Sequence, residues 1–83
     1  MMFYVYILIS KLFPKQIYVG STNNLVKRLK QHNDGKSYST KIYRPWVLKY
    51  YEAYDQESFA RMREKRLKYH GNAIKQLKKR VGL

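Results

Sequence analysis

Phe3-Tyr4-Val5-Tyr6-Ile7-Leu8-Ile9 and, after a polar break, Gln16-Ile17-Tyr18-Val19-Gly20 are the stretches whose reading decides the fold. Both are dense in β-branched and aromatic residues. The break from Ser10 to Lys15 holds Pro14, so the pair reads as a β-hairpin with a loop of medium length. Side chains alternate across a strand, which puts Val5, Ile7 and Ile9 on one face and Tyr4, Tyr6 and Leu8 on the other. In the second strand Ile17 and Val19 oppose Tyr18 and Gly20. Tyr6 and Tyr18 are thereby able to share a face.

Outward from the hairpin, Ser21-Thr22-Asn23 offers side-chain oxygens suited to a helix N-cap, and Asn33-Asp34-Gly35 supplies a stop, predicting a helix of roughly ten residues between them. At about 100° per residue Leu25, Val26 and Leu29 form its apolar stripe. Arg28 and His32 fall on or beside that stripe one turn apart, while Lys27, Lys30 and Gln31 point away. Lys36 to Arg44 is polar and basic and reads as an exposed loop ending at Pro45; Trp46 to Tyr54 reads as a third strand. Asp55 or Ser58 opens a second helix carrying Phe59, Ala60, Met62 and Leu67. Gly71-Asn72 separates it from a third, with Ile74, Leu77 and Val81 on one side and Lys75, Lys78, Lys79 and Arg80 mostly on the other. The order ββαβαα predicts an α+β fold, a small three-stranded antiparallel sheet covered by about three helices.

Eighty-three residues suit one domain spanning 1–83, since a chain this short buries only about 60% of its unfolded surface. Eighteen Lys and Arg against five Asp and Glu give a formal charge of +13, which calls for a polyanionic partner, nucleic acid first. A membrane is the poorer choice: no segment approaches the ~18 continuous apolar residues of a spanning helix, and the basic residues are spread along the chain. The first apolar run has neither the basic start nor the small-residue end of a signal peptide. No cysteine is present, so no disulfide framework or zinc ribbon supplements the core, in keeping with a cytoplasmic location.

Tyr6, Tyr18-Val19-Gly20, Arg28 ten residues past Tyr18, His32 four further on and Glu64 on the second helix form an ordered set that resembles the GIY-YIG nuclease superfamily. The resemblance is to its small standalone members, related to the nuclease module of the excision-repair incision subunit, and covers nearly the whole chain. Gln31-His32-Asn33-Asp34-Gly35-Lys36 and Arg44-Pro45 add to the match. Tyr4-Val5 replaces Gly-Ile of the first motif and Val19 the Ile of the second, changes that keep the strands and both tyrosines. Ser21 stands where some members have a lysine, so any activating role of that lysine falls to another group or is absent.

The resemblance implies a metal-dependent endonuclease that hydrolyses phosphodiester bonds of nucleic acid, DNA before RNA, leaving 5′-phosphate and 3′-hydroxyl ends. Its catalytic set is Tyr6, Tyr18, Arg28, His32 and Glu64, with Glu64 as ligand of one Mg²⁺ or Mn²⁺ ion. The residue chemistry suits that: Arg28 offers a fork of donors to developing phosphate charge, and Glu64 a hard oxygen donor. Five acidic residues in the whole chain would make a two-metal site hard to assemble. Tyr6 would act as base by resemblance, provided nearby positive charge favours its phenolate; His32 needs no such shift, and both assignments stand open. Lys27, Lys36, Lys41, Arg44 and Lys68 are the expected contacts to the nucleic-acid backbone.

Each residue also has an ordinary use. The tyrosines could be strand aromatics under a helix, Arg28 a solvated arginine, and His32 a helix-end histidine favoured by the dipole. Glu64 could pair with Lys68 at i, i+4, with Glu57 as the fallback ligand. Asn24 and Asn33 read as cap or turn residues and His70 as part of a helix end. The competing function is a non-catalytic basic module, for RNA among other nucleic acids, whose tyrosines stack on bases; it lacks the signature and element order of an RNA-recognition sheet. The chain has no room for a targeting domain, so selectivity would come from substrate shape or a partner protein.

Overall fold

The computed structural model describes residues 1–83. Strands β1 (Phe3–Ser10), β2 (Ile17–Thr22) and β3 (Trp46–Tyr54) form one antiparallel sheet in the order β2-β1-β3. Helix α1 (Leu25–Asn33) lies between β2 and β3 in sequence, and α2 (Glu57–Tyr69) and α3 (Gly71–Val81) follow. The expected order ββαβαα is therefore the observed one. The middle strand β1 is the most buried because it alone has a neighbour on both sides: Val5, Tyr6, Ile7 and Leu8 are all inside.

Alternation along β1 feeds two cores, one per face. Val5 and Ile7, with Val19 of β2, pack against Ala60, Leu67 and Leu77 of α2 and α3. Tyr6 and Leu8 pack with Trp46 and, at the margin, with Tyr18, Leu25, Leu29, Tyr43 and Leu48 under α1. Strand β3 serves both faces through a bulge. Ile7 pairs with Tyr50 but Leu8 with Leu48, so Lys49 is an extra residue on β3. Residues of one parity thus change sides: Trp46 and Leu48 join the α1 core, whereas Tyr50 and Tyr54 join the other.

Several local expectations are corrected by this packing. Thr22 continues the strand, so the cap of α1 is not in Ser21-Thr22-Asn23; it is Asn24, in line with its reading as a cap or turn residue, and its side chain accepts from the Lys27 amide at 3.0 Å. Val26 is 82% exposed, since α1 packs on the sheet through Leu25, Leu29 and His32. Gln31 does not turn wholly to solvent; it accepts from Arg28 Nη1 at 3.0 Å. On α2 only Ala60 and Leu67 are buried, leaving Phe59 and Met62 half exposed on the outer flank. The loop 36–44 contains a 3₁₀ turn, Lys41–Tyr43, and a fully buried Thr40.

Three polar arrangements fix the elements. Asn33, the last residue of α1, gives and takes hydrogen bonds with the Trp46 backbone at 3.0 and 2.5 Å, so the helix end and the start of β3 are clamped together. Trp46 Nε1 donates to the Thr40 carbonyl at 2.8 Å. On the other face, Glu52 receives both a two-pronged bond from Arg63 and the hydroxyls of Tyr50 and Tyr54. No helix is long and apolar enough to cross a membrane.

Candidate active site

Gly20 is where the site begins. It is the cross-strand partner of Tyr6, and a Cβ there would fall 2.5 Å from Tyr6 Oη and 2.8 Å from Tyr18 Cε2. With only hydrogen in that space, the Tyr6 side chain lies across β2 toward the free edge of the sheet. Tyr18, diagonal to it on the same face, has its ring centre 6.2 Å away. The glycine of the second motif is thus required for room rather than for an unusual backbone angle.

Helix α1 closes this face. His32, fully buried, stands 2.9 Å from Tyr6 Oη through Nε2 and 2.8 Å from Thr40 Oγ1 through Nδ1, and its ring centre is 4.9 Å from that of Tyr18. Thr40 Oγ1 also faces the Ser37 carbonyl at 3.4 Å. A threonine hydroxyl that donates to that carbonyl accepts from His32 Nδ1–H, which leaves Nε2 to accept the Tyr6 proton. Half-buried Arg28, one turn earlier, is steadied by Gln31.

Burial dominates the titration of this pair. It pushes Tyr6 up to about 12 despite the opposing pull of the Arg28 guanidinium. Desolvation, then the charge of Arg28, pushes His32 down to about 4. Near neutral pH both are uncharged, a protonated phenol against a neutral imidazole.

Glu64 comes from the other face of the sheet and meets the rest at the edge of β2. Ser21, next after Gly20 and so pointing the opposite way, donates to Glu64 Oε1 at 2.6 Å. Lys68 holds Oε2 at 2.6 Å, and its ammonium lies 5.5 Å from the centre of the Tyr18 ring. Burial alone would raise Glu64, but the bonds from Lys68 and Ser21 hold it below the usual carboxylate range. The Glu64 charge in turn helps raise Tyr6. Carboxylate, ammonium, two phenols, imidazole and guanidinium therefore converge on one strand edge.

The other expected residues are placed as follows. Lys27 is exposed on α1, and Lys36, Lys41 and Arg44 are exposed on the loop that Thr40 anchors beneath His32, with Lys41 resting 4.8 Å from the Tyr38 ring centre. Lys68 is engaged with Glu64. Glu57 lies apart from the phenols, lining with Ser21 and Arg61 a cleft of about 250 Å³ between the end of β2 and the start of α2. Sequence reasoning missed Thr40 and Gln31, which orient His32 and Arg28, and the Ser21 bond to Glu64. Nothing in their local pattern distinguishes them from ordinary loop or helix polar residues.

The oxygen chemistry at Glu64 fits a hard divalent cation: a half-buried carboxylate that stays ionised, beside a hydroxyl. No three or more His, Cys, Asp or Glu side chains gather anywhere in the chain, so an ion at Glu64 would have one protein carboxylate, and Lys68 now occupies its Oε2.

A family model of the GIY-YIG catalytic domain matches residues 2–81, and the chain belongs to that family. No curated protein and no solved structure matches it.

Proposed function

We propose that this chain is a divalent-metal-dependent endonuclease that hydrolyses phosphodiester bonds in DNA to 5′-phosphate and 3′-hydroxyl ends. The observation that carries the reading is the convergence of Tyr6, Tyr18, Arg28, His32 and Glu64 at the β2 edge, around the space cleared by Gly20. Glu64 would hold Mg²⁺ or Mn²⁺ after Lys68 leaves its Oε2 oxygen. When bound, such an ion supplies positive charge to the phosphate oxygens and favours ionisation of water.

The remaining work belongs to the side chains. Arg28, with one nitrogen fixed by Gln31, turns its other donors to the non-bridging phosphate oxygens, where charge grows in the transition state. Tyr6 is too weak an acid to stand as a phenolate at neutral pH. Its hydroxyl instead passes a proton to His32 Nε2 while accepting one from the attacking water; the P–O3′ bond breaks and O3′ takes a proton from solvent. In this arrangement Tyr6 and His32 are one base, with Thr40 setting the tautomer. Tyr18 orients the water or the phosphate. Lys27, Lys36, Lys41 and Arg44 follow the backbone of the substrate, and selectivity rests on its shape or on a partner protein.

The test incubates purified protein with end-labelled flapped, forked and single-stranded DNA plus Mg²⁺ or Mn²⁺, beside Arg28→Ala and Glu64→Ala. Cutting by the wild type, reduced by about 10²–10³ in Arg28→Ala with binding kept, supports the enzyme. Binding without metal-dependent cutting would leave only a nucleic-acid-binding module.

A further inference from the structure

Phe59 and Met62 are large apolar side chains left 48% and 59% exposed on α2. Their position is specific. With Arg63 and Arg66 they line a shallow cleft of about 130 Å³, and the same two arginines line a second, polar cleft of about 250 Å³ with Ala73, Gln76, Leu77 and Arg80 of α3. The two clefts therefore adjoin at Arg63 and Arg66, with Phe59 in one and Arg80 in the other.

Charge bookkeeping isolates the guanidinium end. Four of the five acidic residues are paired: Asp34 with Lys30, Glu52 with Arg63, Glu57 with Arg61 and Glu64 with Lys68. Arg66 and Arg80 have no carboxylate within 4 Å, although they converge on one cleft with the amide of Gln76. Two uncompensated guanidiniums facing a common space favour an anion, and their planar donors suit phosphate. A neighbouring aromatic left about half exposed, Phe59, adds a stacking surface for a base.

We infer that the α2/α3 flank is a binding groove for single-stranded nucleic acid, with Arg66 and Arg80 on phosphates and Phe59 and Met62 under a base. It is distinct from the cutting edge. Glu64 turns from α2 toward Ser21 of β2, whereas Arg63 turns toward Glu52 of β3, so the two sites flank the same helix on opposite sides. Combined with the endonuclease reading on which its biological use rests, the groove would hold an unpaired strand beyond the one being cut, favouring flapped or forked substrates.

The test measures fluorescence anisotropy of a labelled oligothymidylate in EDTA, over a range of salt, with the full chain. Arg66→Gln/Arg80→Gln is compared with Lys65→Gln/Lys79→Gln, which removes the same charge from exposed positions of the same helices, and with Phe59→Ala; far-UV circular dichroism and melting confirm folding. The expected result is a loss of tenfold or more for the arginine pair, a shallower salt slope by about one to two phosphates, under threefold for the lysine pair, and about fivefold or more for Phe59→Ala. Equal losses in the two double variants, or no effect of Phe59→Ala, would overturn the groove. Binding without metal does not depend on Glu64, so that outcome leaves the cleavage reading standing, and absence of cleavage leaves the groove standing.

Discussion

Tyr6 Oη and His32 Nε2 lie 2.9 Å apart and join the middle strand to the last turn of α1 across 26 residues of sequence. The bond is buried, and the second nitrogen of His32 is also engaged, by Thr40. A buried polar network of this kind is costly to break at one member, because the others cannot turn to water. Tyr6→Phe should therefore lower stability by about 1–3 kcal/mol in urea denaturation as well as abolish cleavage. Tyr18→Phe, whose hydroxyl holds no protein partner, should reduce cleavage with little change in stability.

His32 gives stability a distinct acid dependence. Its folded value, about 4, is below its ordinary 6.5, so in that interval the unfolded chain takes up a proton that the folded one refuses. Its contribution is complete above pH 6.5 and is lost as pH falls toward 4. Thermal midpoints should drop between pH 6.5 and 4.5, before the carboxylates titrate, and His32→Gln should flatten that part of the profile. At the alkaline end Tyr6 and Tyr54, both pushed up to about 12, contribute stability that is full below pH 10 and lost as pH rises toward 12.

Gly20→Ala isolates the geometric requirement. The nearest atoms the added methyl would meet are side-chain atoms of the two tyrosines, so the sheet should form while the phenols are displaced. Overpacking of this kind costs about 1–3 kcal/mol. Cleavage should fall by far more than the loss of folded protein accounts for, measured at a temperature where the variant stays folded.

The hairpin, the helix order and the shared face of the two tyrosines were legible because alternation in β1 and β2 is strict and both strands are bounded by turn residues. The two-sided use of β3 was not. Its parity is unbroken in sequence, and only the bulge at Lys49 moves Tyr50 and Glu52 to the face opposite Leu48. Val26, on the apolar stripe of α1, and Phe59 and Met62, among the apolar residues of α2, are exposed because periodicity marks a face without saying how much of it a three-stranded sheet can cover. The meeting of Glu64 with Ser21 was hidden for a related reason: they lie 43 residues apart, and pairing across the sheet edge leaves no local trace.

Two carboxylates on the same side of the sheet should respond oppositely to mutation. Glu52 has four hydrogen bonds, two of them from Arg63, the pattern of a structural ion pair, and Glu52→Ala would strand Arg63. A loss of about 3 kcal/mol is expected in chemical denaturation, the low end for a pair this well covered. Binding of oligonucleotide by the folded fraction should be kept or tightened, because Arg63, which lines both clefts of the groove, loses its counter-charge.

Glu64 is the one carboxylate at the β2 edge bonded to Ser21, and Glu64→Gln isolates its charge because shape and the Ser21 contact are nearly kept. Single-turnover cleavage of a flapped DNA with Mn²⁺ and metal-free binding of the same DNA should be measured side by side on the wild type and this variant. Wild-type cutting should need the ion, cutting by the variant should be at least a hundredfold slower, and the two affinities should agree within threefold. Cleavage by Glu64→Gln at the wild-type rate, with the same dependence on Mn²⁺, would contradict metal binding at Glu64.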